Sequence, residues 1–544
     1  MSGRRRLAWV MLALLPLLSL RALGDQEGDF VYQTNGGGAV VTAYAGLGGA
    51  VVIPDTLGGL PVRMIGALAF EETNVTSVTI PNSVTNIDSD AFLNCTSLSN
   101  VTIPNGLISI GDYAFVRCES LTNVVIGPGI VSIGALAFGY CDSLRAITVD
   151  PLNSFYTSVD GVLFDKNTNT LLQVPGGKSG SYEIPTSVTN IAHGAFIDCT
   201  RLTRITVPDT VTSIGYLAFY GCTGLRSVTI PDGVTSIQGE TFRSCVSLKS
   251  ITIPDSVTSI GDYAFFGCTG LTNVVIGSGV TRTGDEAFEG CTGLTSITIP
   301  NSVTLIESYA FADCTGLTNV AIGSGVTTIE DDAFRGCTGL RTMIIPGSVT
   351  TIHENAFAYC PRLTGLYFEG NAPPIRPAYP LFESSPFVTV FYRPGTTGWG
   401  STYADRPTAL WVERPGYADW AVATGLNAQF PAASGEGDDA DGDGFTNGAE
   451  WFAGTDPTQS ASRLELELAP RPADLTASDQ TPVPAGQRAV YFRSVPGRYY
   501  GVQSATDLSG AWTLAAVRIA STTETRFVLP ASGSQDFYRV LALP

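Results

Sequence analysis

SLKSITIPDSVTSIGDYAFFGCTGL (Ser247–Leu271) decides the fold, because nearly the same string returns at a 23-residue period through the middle of the chain. It carries one cysteine, Cys268. The others are Cys95, Cys118, Cys141, Cys199, Cys222, Cys245, Cys291, Cys314, Cys337 and Cys360. Each follows the last at that same period, except that a longer segment separates Cys141 from Cys199. A Phe stands three positions before each cysteine, from Phe92 to Phe357, and Phe70 in GALAFEE adds a cysteine-free copy. Self-similarity at a fixed period of this length is the signature of a stacked solenoid.

One unit, LTSITIPNSVTLIESYAFADC, shows how the stack is built. Leu294, Ile297 and Ile299 predict a short strand with an inward apolar face, which Pro300 stops. Val303 and Ile306 predict a second short apolar edge. SYAF fits one helical turn with Ala310 and Phe311 tucked inward, and a Thr-Gly turn after Cys314 leads to Leu317, where the cycle restarts. A single unit cannot bury this face alone, whereas a stack buries a continuous column. Stacking places equivalent cysteines about 5 Å apart, the spacing of neighbouring strands. Their Cβ vectors run parallel and do not face each other as a disulfide requires. With eleven of them, the expectation is a buried column of free thiols acting as small hydrophobes. No C-x-x-C pair or nearby His supports metal binding by that column.

The pattern C-x-x-L-x-x-I-x-I-P-x-x-V-x-x-I-x-x-x-A-F, matched by CTGLTSITIPNSVTLIESYAF (Cys291–Phe311) position for position, resembles the BspA-like leucine-rich repeats, a bacterial 23-residue class. Ser302 stands where the commoner leucine-rich pattern has Asn or Cys, so that ladder is absent. The resemblance covers roughly residues 28–412. It implies a repeat solenoid, mainly β with short helical turns, displayed at the cell surface or secreted and binding extracellular proteins, often in adhesion. AVVIPDTLGGLPVRMIGALAF (Ala50–Phe70) resembles the imperfect first coil of that family, and FVTVFYRPGTTGWGSTYADRPTALW (Phe387–Trp411) its terminal cap. End coils need caps because an open stack exposes its apolar column. SVDGVLFDKNTNTLLQVP (Ser158–Pro175), with alternating apolar runs around Asn167–Asn169, predicts a hairpin-bearing variant coil over 142–185.

One outward position per coil lies between the inward residues of the first strand. Thr79, Thr102, Thr148, Thr206, Thr229, Thr252 and Thr298 occupy it, and Val125, Val275, Ala321 and Ile344 interrupt the column. Ser77, Asn100, Ser227, Ser250 and Ser296 stand two positions earlier. Together they predict a flat, weakly polar face for a protein or glycan ligand, although Thr also suits exposed strands for its own sake. Regular Thr rows occur on ice-binding solenoids as well, but the four apolar positions break the array.

The flanks differ in composition. Arg4–Arg6, the apolar Leu7–Leu20 and Ala22-Leu23-Gly24 read as a secretory leader over 1–24. Its removal takes four arginines and leaves 26 basic against 49 acidic side chains, a net −23. Such a surface repels nucleic acid and anionic membrane, and no later segment has the length or hydropathy of a span. Residues 25–70 form an N-terminal cap and first repeat, 71–365 the repeats, and 366–412 a C-terminal cap. Segment 413–460 begins with helical spacing in YADWAVATGLNAQF (Tyr417–Phe430). It continues into DADGDGFTNGAE, which fits D-x-D-x-D-G-x5-E. Asp439, Asp441, Asp443, the carbonyl of Phe445, Asn447 and Glu450 supply the six-to-eight oxygens that Ca²⁺ takes, and Gly444 the sharp turn. This segment resembles the calcium loops of dockerin-like and thrombospondin-type-3-like modules. Residues 461–544 read as strands between Pro, Gly and Ser turns, a C-terminal β-sandwich.

Catalysis has no support in the sequence. The two histidines, His193 and His353, lie just before Phe196 and Phe357 and read as exposed filler, and no nucleophile, zincin or phosphate-loop motif occurs. The expectation is a non-catalytic, monomeric, secreted or surface protein that binds an extracellular protein or glycan. Its rivals are an envelope spacer without a ligand, and an accessory polysaccharide-binding protein that acts through its C-terminal module.

Overall fold

A computed structural model describes residues 24–375 and 380–411, together with the backbone of strands Leu466–Leu468, Gln487–Arg493, Tyr499–Ala505, Thr513–Ile519, Glu524–Pro530 and Phe537–Ala542. The leader-like 1–23 and the acidic loop lie outside the described residues. The chain divides into two compact units after Thr408.

In the first unit each coil turns back on itself and meets the next in parallel. Around Cys268, Ser250–Ile253 is the first strand of the coil and Ser259–Ile260 the second. Ser250–Ile253 pairs in parallel with Asn273–Ile276, and Ser259–Ile260 with Ser236–Ile237, each offset by one repeat period. Strands of four and two residues cannot satisfy their own backbone, so every coil depends on its neighbours.

The third side of the coil departs from the sequence expectation. The SYAF-type segment is not a helical turn. It is a pair of tight turns, each with one residue at positive φ, as at Tyr309 (55°) and Asp313 (53°). The reason lies in the hydrogen bonding. Phe311 N donates to Ala333 O of the next coil at 2.9 Å, and Asp313 N to Arg335 O at 2.7 Å. An α-helix would consume those groups within its own turn, and here they extend the inter-coil ladder to this side as well.

Inside, the phenylalanines stack ring on ring. Centroids lie 5.1 Å apart for Phe265 and Phe288, 5.4 Å for Phe288 and Phe311, and 5.5 Å for Phe311 and Phe334, all within 7° of parallel. Replacing one by Ala removes a fully buried ring, a change that costs about 3–5 kcal/mol in well-packed cores. Beside them all eleven cysteines are buried and free, as the sequence predicts. Their thiols donate to the backbone of the preceding coil: Cys268 Sγ to Phe242 O at 3.0 Å, Cys314 Sγ to Phe288 O at 3.1 Å. Cys199 is the exception, 3.8 Å from Val174 O, because the variant coil precedes it. Burial pushes the thiols up, those of Cys141, Cys268, Cys314 and Cys360 to about 12.

The variant coil holds two hairpins where the sequence suggests one. Val162–Asp165 and Thr170–Gln173 pair around Asn167–Asn169 as expected, and Tyr156–Val159 adds a further antiparallel strand. Its turn is Asp160-Gly161, both at positive φ, a dipeptide that favours two-residue hairpins. Buried Asn153 anchors the insertion, donating to Gly127 O and Ile130 O at 2.8 and 2.9 Å. The ends are closed differently. An antiparallel meander, Asp25–Glu27, Phe30–Asn35 and Gly38–Tyr44, joins the first coils. At the other end Trp399 packs on Phe368, Tyr392 and Tyr403 with centroids 5.0–5.2 Å away. In the second unit Leu466–Leu468, Gln487–Arg493 and Glu524–Pro530 form one antiparallel sheet, and Thr513–Ile519, Tyr499–Ala505 and Phe537–Ala542 another. No helix among the described residues is long and apolar enough to cross a membrane.

The turn side carries a ridge of aromatic and charged side chains. Tyr263 Oη donates to Glu286 Oε1 at 2.8 Å and Tyr359 Oη to Glu383 Oε1 at 2.9 Å, each one coil on. The Arg243 guanidinium lies over the rings of Tyr263 and Phe266. Burial, and then the neighbouring Glu286 and Asp313, push the Glu289 carboxyl up to about 8, against a smaller opposing effect of Arg335.

Two outcomes follow from this packing. The native chain should resist thiol alkylation, whereas denatured, unreduced chain should show eleven free thiols by mass spectrometry; widespread bridging would overturn the thiol column. The second concerns pH. Glu289 binds its proton more tightly when folded, so its contribution is fully present below the usual carboxylate range and is lost as pH rises through about 8. Wild-type stability should therefore fall between pH 5 and pH 8. Glu289→Gln should flatten that slope and raise the urea midpoint at pH 8; an unchanged slope refutes the assignment.

Candidate recognition face

The first strands of successive coils line up in parallel, and their outward residues come into register. Val52 faces Thr79, Thr79 faces Thr102, and Val125 faces Thr148. On the C-terminal side of the variant coil Glu183 faces Thr206, Thr252 faces Val275, Thr298 faces Ala321, and Ile344 faces Tyr367. All seven threonines singled out from the sequence, Thr79, Thr102, Thr148, Thr206, Thr229, Thr252 and Thr298, are exposed. They do not form one row. The hairpins of the variant coil stand between Thr148 and Thr206, with Gly161 O accepting from Ile147 N where a next strand would pair, so the face has two segments.

The aliphatic interruptions are as open as the threonines: Val52 is 69% exposed, Val125 60%, Val275 49% and Ile344 49%. The column continues into Tyr367 and Phe391, whose rings stack 4.6 Å apart. Basic side chains fringe the entry to the strands, with Arg145, Arg204, Arg226, Lys249 and Arg341 all exposed. Apart from Glu183 the outward column is uncharged along its centre, and the face is cationic at one margin, on a chain that is acidic as a whole.

A second threonine column escaped the sequence reading. In the V-T-S-I stretch leading to the second strand, Thr189, Thr212, Thr235, Thr258, Thr281, Thr304, Thr327 and Thr350 recur at the repeat period without interruption, and all are exposed. The signal was the same letter at the same period, read at a different position of the coil. The two columns differ in what their hydroxyls do. Thr258 Oγ1 donates to Thr235 O at 3.1 Å, Thr281 Oγ1 to Thr258 O at 3.0 Å, and Thr327 Oγ1 to Thr304 O at 3.1 Å. Those hydroxyls fasten one coil to the previous one. On the first-strand face Thr148 does the same, to Val124 O at 3.3 Å. Among the described residues no internal partner takes the hydroxyls of Thr79, Thr102, Thr206, Thr229, Thr252 or Thr298, so these point into solvent with donor and acceptor capacity intact.

The histidines are not exposed filler. Both are half-buried. His193 lies with its ring centroid 5.2 Å from that of Tyr216, and His353 Nδ1 stands 3.1 Å from Glu330 Oε2. Side chains of the turn side pack on the next coil, so a residue there is covered by its equivalent one period away, which reading a single coil does not reveal. The calcium-loop residues Asp439, Asp441, Asp443, Phe445, Asn447 and Glu450 lie outside the described residues.

Comparison with known proteins bears on the coils and on the loop. Residues 63–174, 178–294 and 235–364 match the BspA type leucine rich repeat region, in six copies. Residues 439–460 match the bacterial TSP3 repeat, in one short stretch. A search of curated proteins gives no match. Among solved structures, a leucine-rich cell surface protein from Faecalibacterium prausnitzii is 27% identical, with a TM-score of 0.34 over 55% of this chain and 94% of that one. A leucine-rich repeat protein from Eubacterium ventriosum is 24% identical, with a TM-score of 0.44 over 61% and 92%. One from Bacteroides ovatus is 24% identical, with a TM-score of 0.36 over 63% and 94%. The matched segments span more than half of the chain and coincide with the stacked coils, so the protein belongs to the BspA type leucine-rich repeat family.

Proposed function

We propose that this protein is a non-catalytic recognition protein of the cell exterior, secreted or surface-displayed, whose solenoid binds an extracellular protein or glycan through its first-strand face. The observation that carries this reading is the difference between the two threonine columns. Hydroxyls that fasten coils together need no ligand, whereas those of Thr206, Thr229, Thr252 and Thr298 have no internal partner among the described residues and stand beside exposed Val275 and Ile344. Alternating hydroxyl and aliphatic positions on a rigid flat surface suit a partner that offers both polar and apolar groups. The leader-like N-terminus is consistent with export.

The acidic loop completes the proposal. Asp439, Asp441, Asp443, Asn447 and Glu450, with the carbonyl of Phe445, would hold one Ca²⁺ in the segment that follows the repeats in sequence, and the match to the bacterial TSP3 repeat supports this. An ion in such a position orders a linker, and extracellular modules of this type bind calcium at roughly 10⁻⁴–10⁻³ M.

The first test is a binding screen of the full chain against extracellular-matrix proteins and cell-surface glycans, with calcium and with chelator. Saturable binding is expected, weakened about tenfold or more by Thr252→Glu combined with Val275→Glu. Binding that ignores those changes but needs calcium would move the site to the loop and tail, and absence of binding would favour a spacer. Calcium titration calorimetry forms the second test. Asp441→Asn with Glu450→Gln should abolish the heat of binding, and an undiminished signal would remove the loop as the site.

A further inference from the structure

Three side chains on the turn side of the last repeats form a cluster that the recognition face does not use. Glu330 follows Thr328–Ile329, and His353 follows Thr351–Ile352; these strands pair in parallel with Ile329 opposite Ile352, so Glu330 and His353 occupy the same place on consecutive coils. Their backbones are fixed by the ladder, Glu330 N donating to Ile306 O at 2.9 Å and His353 N to Ile329 O at 2.8 Å. His353 Nδ1 lies 3.1 Å from Glu330 Oε2 and 3.4 Å from Asp331 Oδ1. One ligand atom from each of the three lies within 4.8 Å of the other two.

Charge sets this cluster apart from its neighbour. One coil earlier, Glu307 occupies the equivalent position and takes the Arg282 guanidinium at 2.6 Å. Among the described residues no Lys or Arg comes within ion-pair distance of Glu330 or Asp331, and the His353 imidazole is the one basic group that does. A single Nδ1–H serves one carboxylate at a time, whereas a cation at that point would serve both.

We propose that Glu330, Asp331 and His353 form a site for one divalent transition-metal ion of the zinc class. The donor set is one imidazole nitrogen and two carboxylate oxygens. Calcium and magnesium take all-oxygen sets, while imidazole suits zinc, copper and nickel. Ligand bonds of about 2.0–2.1 Å to zinc give a tetrahedron whose edges are about 3.4 Å, and the Nδ1–oxygen separations of 3.1 and 3.4 Å are of that size. The Asp331 side chain is 41% exposed, which leaves a solvent-side position for water. The ion would clip two coils together near the C-terminal end of the stack. This site is separate from the recognition face and from the acidic loop, and it stands or falls independently of both.

The chain has two histidines, so the test can be read one residue at a time. Full-length protein with selectively labelled histidine, freed of metal and held in excess calcium to occupy the acidic loop, is titrated with zinc chloride. The His353 imidazole signals should shift or broaden and saturate at one equivalent while those of His193 stay in place; His193→Asn assigns them. Zinc should also raise the thermal midpoint. His353→Asn and Glu330→Gln should each weaken zinc binding at least tenfold in calorimetry and remove that rise. If zinc leaves the His353 signals unmoved, the cluster is an ion pair only and the proposal fails. It fails equally if His353→Asn and Glu330→Gln bind zinc as tightly as wild type.

Discussion

Backbone groups buried away from water must find partners, and in this chain the strands and alternate turn residues find them only in the neighbouring coils. The strands are four and two residues long, and the remaining side of each coil is turn. Phe265 N reaches Ala287 O in the next coil, and Gly261 N reaches Ile237 O in the previous one. This ladder fixes the offset between coils at one repeat period, and the offset fixes everything else. A slip of one residue would drive Thr into the column and bring Ile out to water. Because the backbone repeats, each side chain meets its own equivalent at the same depth, which is why Phe stacks on Phe with near-parallel rings. The thiols belong to the same arrangement. A small, weakly donating side chain fits beside the rings and reaches the carbonyl of the preceding Phe.

The same ladder determines which surface groups remain available. A threonine near the start of a strand places its hydroxyl against the carbonyl one coil earlier, and the regularity of the stack repeats that contact. Repetition of an exposed polar residue is therefore weak evidence of recognition in a solenoid. The informative quantity is whether the hydroxyl is already engaged. By that measure the uninterrupted column through Thr258 and Thr281 is internal fastening. The interrupted column through Thr229 and Thr252 is the one left open to a partner. Its valines, which spoil it as an ordered array for water, suit it better to a partner with apolar groups of its own.

The period, the inward residues and the free thiols were legible because each leaves a mark at a fixed spacing in one coil. The SYAF segment misled because Ala and Phe are compatible with a helical turn, and only the inter-coil hydrogen bonds of Phe311 and Asp313 decide otherwise. The Asp160-Gly161 hairpin carried its signal in a single dipeptide, overshadowed by the more obvious turn at Asn167–Asn169. The partners of His193 and His353 were not legible by reading one coil. They lie on a neighbouring turn, a full period away along the chain and about 5 Å away in space.

That geometry also explains where chemistry can enter a repeat whose core positions tolerate little change. The residue after the second-strand Ile is Gly111, Gly134, Gly215 and Gly261 in four of the earlier coils. A Cβ at Gly261 would stand 2.4 Å from Gly239 N, and one at Gly284 2.4 Å from Asp262 N, so the backbones there approach closely and glycine is the residue that fits. In the last three repeats the position is Glu307, Glu330 and His353, long side chains that must reach outward from the same crowded place. Three neighbours in one column are three neighbours in space. Changing one position of the repeat in three consecutive copies therefore assembles charged groups at contact distance without disturbing the core. The first of the three is balanced by Arg282. The other two, with Asp331, form a set in which two carboxylates share a single imidazole.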